Sequence, residues 1–247
     1  MNTRSIKAQL GIFLLLFSVY ITFLEKHAGF LLAICISVIA AALVDSIVTY
    51  LKEKEFVLTE SSIITGLIVS YVMAGSYAWW IIALTSVLAI SSKHLIRFKT
   101  RHVFNPAGFG ILAAVFLLGL STEWKGAYLW YIIIPFGVYS SFKIKKLEII
   151  ISYFIASFIL FGGQAIIQNA QIFDILGYLN YFFIFIMLIE PMTTPLTRFG
   201  KIIFGSGVGA LVFILYAAGV KEPELFALTC FNLFTPLLNK SPSRQNM

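Results

Sequence analysis

Residues 93–110 read KHLIRFKTRHVFNPAGFG. The first ten, Lys93 to His102, hold four Lys/Arg and two His. The charge then stops at Phe104-Asn105-Pro106, and the chain runs straight into an apolar segment. A basic collar set against an apolar run marks the inner end of a membrane helix, because Lys and Arg collect on the cytoplasmic side. Asn followed by Pro also suits a helix start, with Asn as the cap and Pro at the first helical position.

Composition extends that reading to the whole chain. Of 247 residues, 60% are hydrophobic and 12% charged, and the mean hydropathy is +0.93. Soluble domains are about a quarter charged, and here the apolar residues come in long runs, as membrane spans require. The expected fold class is therefore an all-α polytopic membrane protein, with residues 1–247 forming one integral membrane domain. The net charge of +7 is explained by the positive-inside rule without nucleic acid. Cys35 and Cys230 fall within apolar spans and are expected to be buried thiols acting as small hydrophobes. The apolar segment after Arg4 and Lys7 is followed by Glu25-Lys26-His27 in place of a small-residue cleavage site, so it is expected to be a retained first helix.

Ten spans are expected, at about residues 9–25, 28–51, 57–75, 77–92, 104–121, 126–142, 147–168, 174–190, 200–219 and 223–239. Spans 3 and 8 carry polar residues and read as broken or only partly crossing. With the N-terminus in the cytoplasm, 15 of the 18 Lys/Arg fall on inner segments; Lys26, Lys125 and Lys221 are the three outside. This places the protein in the cell (inner) membrane with both termini cytoplasmic. Two halves of five spans, about 9–121 and 126–239, would run in opposite directions, an inverted repeat. Short echoes support it: Phe104-Asn105-Pro106 in span 5 against Phe231-Asn232 and Pro236 in span 10.

Polar residues gather at Glu60 to Gly66, Lys93 to Asn105, Glu190 to Lys201 and Asn232 to Asn239, all at inner ends. Each cluster admits an ordinary structural use as caps, helix ends or topology signal. Glu60 and Glu190 stand apart, because a carboxylate near hydrocarbon lines a cavity or meets a cation. Both are assigned to a charge or ion pathway, with Lys93 or Arg198 as partner. Asp45, near the inner end of span 2, is expected to reach the interface. His94 and His102 lie in the collar and not at mid-membrane, which argues against haem ligation. FGSGVG at 204–209 lies in an apolar span and suits close helix packing better than a nucleotide loop. Trp79-Trp80 and Trp124 to Trp130 read as interfacial belts. No catalytic triad, Walker loop or metal-ligand spacing is present.

Four segments resemble, in order, the NqrB/RnfD family. They are Glu60-Ser61-Ser62-Ile63-Ile64-Thr65-Gly66-Leu67; Lys93 with His102-Val103-Phe104-Asn105-Pro106-Ala107; Glu190-Pro191-Met192-Thr193-Thr194-Pro195-Leu196-Thr197 with Gly200-Lys201 and Phe204-Gly205; and Phe231-Asn232 to Pro236-Leu237. The resemblance implies a membrane subunit of the kind found in sodium-pumping NADH:quinone oxidoreductase and the Rnf ferredoxin:NAD complex, with ten spans in two inverted halves. It implies bound flavin (FMN or riboflavin), electron transfer through the membrane and coupled cation movement. Ser62, Thr65, Gly66, Asn105, Pro106, Thr193, Thr194 and Asn232 would then contact the flavin, with Lys93 and Arg198 meeting phosphate or a partner protein. The family's covalent FMN motif lies between spans 5 and 6. Here that loop reads Ser121-Thr122-Glu123-Trp124-Lys125, without the motif, so a non-covalent flavin is expected. Expected partners are the other membrane and soluble subunits of such a complex, a flavoprotein or ferredoxin reductase at the basic cytoplasmic face, and the lipid bilayer. A small-solute transporter or channel on the same architecture is the alternative, since fold does not fix function.

Overall fold

The computed structural model describes residues 3–73, 77–169, 171, 176–177 and 179–239. Residues 74–75 at the end of span 3, Asp174 at the start of span 8, and Lys240 and Arg244 of the topology count lie outside the described residues. The elements are α1 (Thr3–Glu25), α2 (Gly29–Glu53), α3 (Glu60–Met73), α4 (Trp79–Leu95), β1 (Arg97–Phe98), β2 (Arg101–His102), α5 (Pro106–Leu118), α6 (Trp130–Lys143), α7 (Leu147–Ile167), a π-helical segment (Phe183–Met187), α8 (Arg198–Ala217) and α9 (Pro223–Leu238). Among the described residues, four stretches are long and apolar enough to cross a membrane: Ile6–Glu25, Gly29–Glu53, Leu147–Ile167 and Arg198–Ala217. Four shorter apolar helices accompany them: Glu60–Met73, Trp79–Leu95, Pro106–Leu118 and Pro223–Leu238. Large apolar side chains such as Leu16, Phe23, Leu32 and Ile159 face outward, as they do only where hydrocarbon replaces water. This is a multi-pass membrane protein.

Two expectations are corrected. The fold is not purely α-helical: in the collar β1 and β2 pair antiparallel, with Arg97 opposite His102 and Phe98 opposite Arg101. Cys35 is exposed and Cys230 half-buried, because the apolar spans turn part of their surface toward lipid. Asp45 is fully buried, for a reason given below. Span 8 is described as helical at residues 176–177 and 181–182 and as the π-helical segment at Phe183–Met187, and residues 190–197 that follow it are non-helical before α8 begins.

The chain divides into two compact units, Met1–Leu129 and Trp130–Met247. In the first, α2 packs on α3 and α4, α4 on α5, and α1 on α3. Small residues bring the backbones together, the usual device of membrane helices. A Cβ on Gly66 would lie 2.7 Å from the Val38 Cα of α2, and Ser37 donates to the Gly66 carbonyl at 2.6 Å. At one end of the unit the Lys125 ammonium meets the Glu25 carboxylate at 2.9 Å. That neighbour holds the lysine above its ordinary pKa range. At the same end the backbone N–H groups of Glu123 and Lys125 donate to the Val72 and Tyr71 carbonyls. At the other end Asp45, Thr59, Lys93 and His94 meet. The five helices therefore alternate in direction.

In the second unit α7 packs on α8, α8 on α9, and α6 on the π-helical segment. Gly205 and Gly209, four apart on one face of α8, seat that helix against α7 at Ile149, Ser152, Tyr153 and Ser157, the close packing expected of FGSGVG. Gly137 of α6 is closed over by the Phe185 ring.

Candidate functional site: two polar clusters

The first cluster is built around Asp45. Within an apolar helix its carboxylate is stable only if charged and polar partners satisfy it. Lys93 Nζ donates to Asp45 Oδ1 at 2.9 Å, and His94 Nε2 lies 2.7 Å from the same oxygen. The Thr59 hydroxyl donates to Oδ2. Lys93 and His94 are consecutive in the last turn of α4, so one turn presents both nitrogens to α2. Thr59 also caps α3, its Oγ1 accepting from the Ser62 N–H at 3.2 Å. One carboxylate thus ties α2, α3 and α4 together.

The proposed ligand residues of this unit lie around that knot. Lys93 is paired with Asp45 and not with Glu60. Glu60 stands in the first turn of α3, where a negative charge favours the helix dipole. The Ser62 hydroxyl donates to the Thr59 carbonyl at 2.8 Å, and that of Thr65 to the Ser61 carbonyl at 2.8 Å. Asn105 is the N-cap of α5, its Oδ1 accepting from the Gly108 N–H at 2.9 Å, with Pro106 next to it at the helix start. Gly66 is a packing glycine. Thr122 lies half-buried in the loop that follows α5.

The second cluster is a strap of non-helical chain, residues 190–197, held from three directions. Lys146, buried just before α7, sends its ammonium to the carbonyls of Thr194 (3.3 Å) and Pro195 (2.6 Å). From α9, Asn232 Nδ2 (3.3 Å) and the Thr235 hydroxyl (2.7 Å) both donate to the Thr193 carbonyl. Asn239 Oδ1 accepts from the Leu196 N–H at 2.7 Å. Thr197 caps α8 through the Gly200 N–H and donates to the Leu238 carbonyl. Chain that leaves a helix inside the protein exposes backbone groups that must find partners there, and these side chains supply them. The strap brings together Glu190, Thr193, Thr194 and Asn232: Thr193 Oγ1 donates to Glu190 Oε2 (3.3 Å) and Thr194 Oγ1 to the Glu190 carbonyl (2.7 Å). Arg198 opens α8 and is exposed. Beside it Lys201 donates to the Lys145 carbonyl (2.6 Å) and to Glu148 (3.2 Å).

Asp45, Thr59, Lys146 and Thr235 carry these clusters, and sequence reasoning assigns none of them to a site. Asp45 had a signal, as an acidic side chain in an apolar run. Lys146 had none that separates it from Lys143 and Lys145.

A non-covalent flavin needs polar atoms around its ring and, for FMN, a cation at its phosphate. The hydroxyl donors of Ser62, Thr65, Thr193 and Thr194 are engaged within their own unit, while Lys93 and Asn232 each commit one N–H of several to Asp45 and to the Thr193 carbonyl. The exposed guanidinium of Arg198 fits a phosphate; the buried hydroxyls offer the ring only acceptor lone pairs.

The NQR2, RnfD, RnfE family matches residues 2–128 and 129–247, two stretches that meet where the two compact units meet. A relative from Stutzerimonas stutzeri, one of the subunits of an ion-translocating oxidoreductase complex, is 38% identical over 52 residues. That stretch is 21% of this chain and 15% of the relative's length. With both halves matched, the chain belongs to the NQR2, RnfD, RnfE family.

Proposed function

We propose that the chain is the membrane subunit of an Rnf/Nqr-type ion-translocating electron transport complex, crossing the cell (inner) membrane ten times with both ends in the cytoplasm. The observation that carries this is the family match across both halves. An inverted repeat is supported by the packing when the elements of each unit are numbered from its start. In the first unit, element 1 packs on 3, 2 on 4, and 4 on 5, and in the second α6 packs on the π-helical segment, α7 on α8, and α8 on α9, three matching pairs; among the described residues, the close packing of α2 on α3 in the first unit has no comparable counterpart in the second. An odd number of crossings per half makes the second half run the opposite way. The distribution of Lys and Arg supports cytoplasmic termini.

In this reading the protein holds a flavin, FMN or riboflavin, non-covalently, and partner subunits deliver electrons at the basic inner face. The flavin supplies the one- and two-electron chemistry, and the protein supplies position and electrostatics. Arg198 would meet a phosphate, and Glu190, grouped with Thr193 and Thr194, would face a passing cation. The test is the visible spectrum of the purified protein. Bound flavin is expected; a protein that carries none, and takes up none when FMN or riboflavin is added, rules out the electron-transfer reading.

One observation favours the second reading, a small-solute transporter or channel: the Ser and Thr hydroxyls expected to hold the ring donate within their own units. Solute uptake by proteoliposomes without any redox partner would decide for it.

A further inference from the structure

The collar between α4 and α5 has an outward side that neither cluster uses. α4 ends at Leu95 and α5 begins at Pro106, and the topology proposed above puts the basic hairpin between them at the cytoplasmic surface of the membrane. It is held by the β1–β2 pairing, by the Val103 N–H donating to the Ile96 carbonyl at 3.0 Å, and by Arg97 Nη2 donating to the Thr100 carbonyl at 3.0 Å. Its inner side is anchored in protein: His102 is 8% and Phe104 9% exposed, and Phe104 stacks on Phe109. Its outer side is different. Leu95 is 80% and Phe98 51% exposed, and Arg97 and Lys99 are exposed with them. Phe98 lies opposite the half-buried Arg101 and so shares a face with it, while Arg97, itself exposed, stands opposite His102 on the other face. Lys99 Nζ sits 5.7 Å from the centre of the Phe98 ring.

Two large apolar side chains projecting from a basic hairpin have no favourable place in water. At the level of lipid headgroups they do: apolar groups enter the acyl boundary while Lys and Arg reach up to phosphate. An acidic protein surface would satisfy the charges but has no evident use for Leu95 and Phe98 at the depth where a membrane helix ends. We propose that the Arg97–His102 hairpin is a lipid anchor, with Leu95 and Phe98 inserted into the leaflet and Arg97, Lys99 and Arg101 binding the phosphates of anionic phospholipids. This rests on the membrane fold and not on electron transfer, so a protein without flavin would leave it standing.

The test has two arms, both on the full chain in nanodiscs of phosphatidylcholine and phosphatidylglycerol in equal parts. In the first, Phe98→Cys carries a spin label, with Cys35 and Cys230 changed to Ser. Leu32→Cys serves as the lipid reference and Ser121→Cys as the water reference. The label at 98 is expected to be more accessible to oxygen than to a water-soluble nickel chelate. In the second, with the native cysteines kept, Arg97, Lys99 and Arg101 are changed together to Ala and the lipids retained are weighed by native mass spectrometry. The preference for phosphatidylglycerol over phosphatidylcholine is expected to fall by up to about fivefold for each cation removed. A label reached preferentially by the nickel chelate overturns the proposal, as does an unchanged lipid preference. A label that is water-exposed in the isolated chain and shielded only when partner subunits are added assigns the hairpin to a protein and overturns it too.

Discussion

Asp45 and Lys93, 48 residues apart in the chain, meet at 2.9 Å between α2 and α4, with the aspartate side chain closed off from solvent and the lysine side chain 16% exposed. The asymmetry of burial fixes which partner is harder to lose. Lys93→Met leaves the Asp45 carboxylate buried with His94 and Thr59 alone, and is expected to cost about 3 kcal/mol. Asp45→Asn frees a lysine long enough to reach the interface, and should cost less. The double variant should lose less than the sum, with a coupling of about 1–3 kcal/mol. Thermal unfolding of the four proteins in detergent measures this; strictly additive losses would show that the pair does not act as a unit.

Asn105 has a defined structural duty, and its loss has a defined size. Asn105→Ala removes the acceptor for the Gly108 N–H and should destabilise the protein by about 1 kcal/mol, while Asn105→Asp keeps the cap and most of the stability. Lys99, at the exposed hairpin tip with a φ of 57°, makes no such bond, and Lys99→Gly should be neutral or slightly stabilising because glycine adopts that backbone freely. Circular dichroism melts of the three variants check the order. If flavin binding is found, a drop in affinity for Asn105→Ala and not for Asn105→Asp would trace to the cap.

The strap makes Lys146 and Lys145 a matched pair of neighbours with opposite fates. Lys146→Met removes the ammonium from two buried carbonyls and should cost about 2–4 kcal/mol, since buried polar groups left without partners are expensive. Lys145 is exposed, and Lys145→Met should change stability by less than about 0.5 kcal/mol. Thr235→Val, which loses one of two donors to the Thr193 carbonyl, should fall between, at about 1 kcal/mol. Limited proteolysis near residues 190–197 adds a local readout: faster cleavage in Lys146→Met with unchanged cleavage elsewhere is the expected pattern.

Much of the architecture is legible in the sequence because hydrophobic runs and basic collars report the membrane directly. The helix start at Asn105-Pro106 and the end of span 8 at Glu190-Pro191 follow from local chemistry that a short window contains. The partners of the charged residues are not legible in that way. Sequence alone points Lys93 toward Glu60 or Glu190 because those carboxylates stand out, yet α4 runs beside α2 and brings Lys93 to Asp45. The β1–β2 hairpin is hidden for a different reason: two-residue strands are too short for periodicity to reveal, and Lys99 occupies a positive φ where glycine or asparagine would have signalled a turn.

The glycines of α7 and α8 give a graded test of the packing itself. A Cβ on Gly205 would run into the Ile149 carbonyl and Ser152 Oγ of α7. A carbonyl in a helix backbone cannot step aside, so Gly205→Ala must push the helices apart and should cost about 2–4 kcal/mol, at or above the usual range for overpacking. A Cβ on Gly207 would meet the far edge of the Phe231 ring of α9, which can rotate, so Gly207→Ala should cost less, about 1–2 kcal/mol. Gly163 in α7 has nothing within 4 Å of the new atom, and Gly163→Ala should stabilise by up to about 1 kcal/mol through helix propensity alone. The ranking Gly205, Gly207, Gly163 in melting temperature follows from backbone approach, not from glycine content. If all three substitutions behaved alike, α7 and α8 would not be in the close contact that Gly205 and Gly209 permit.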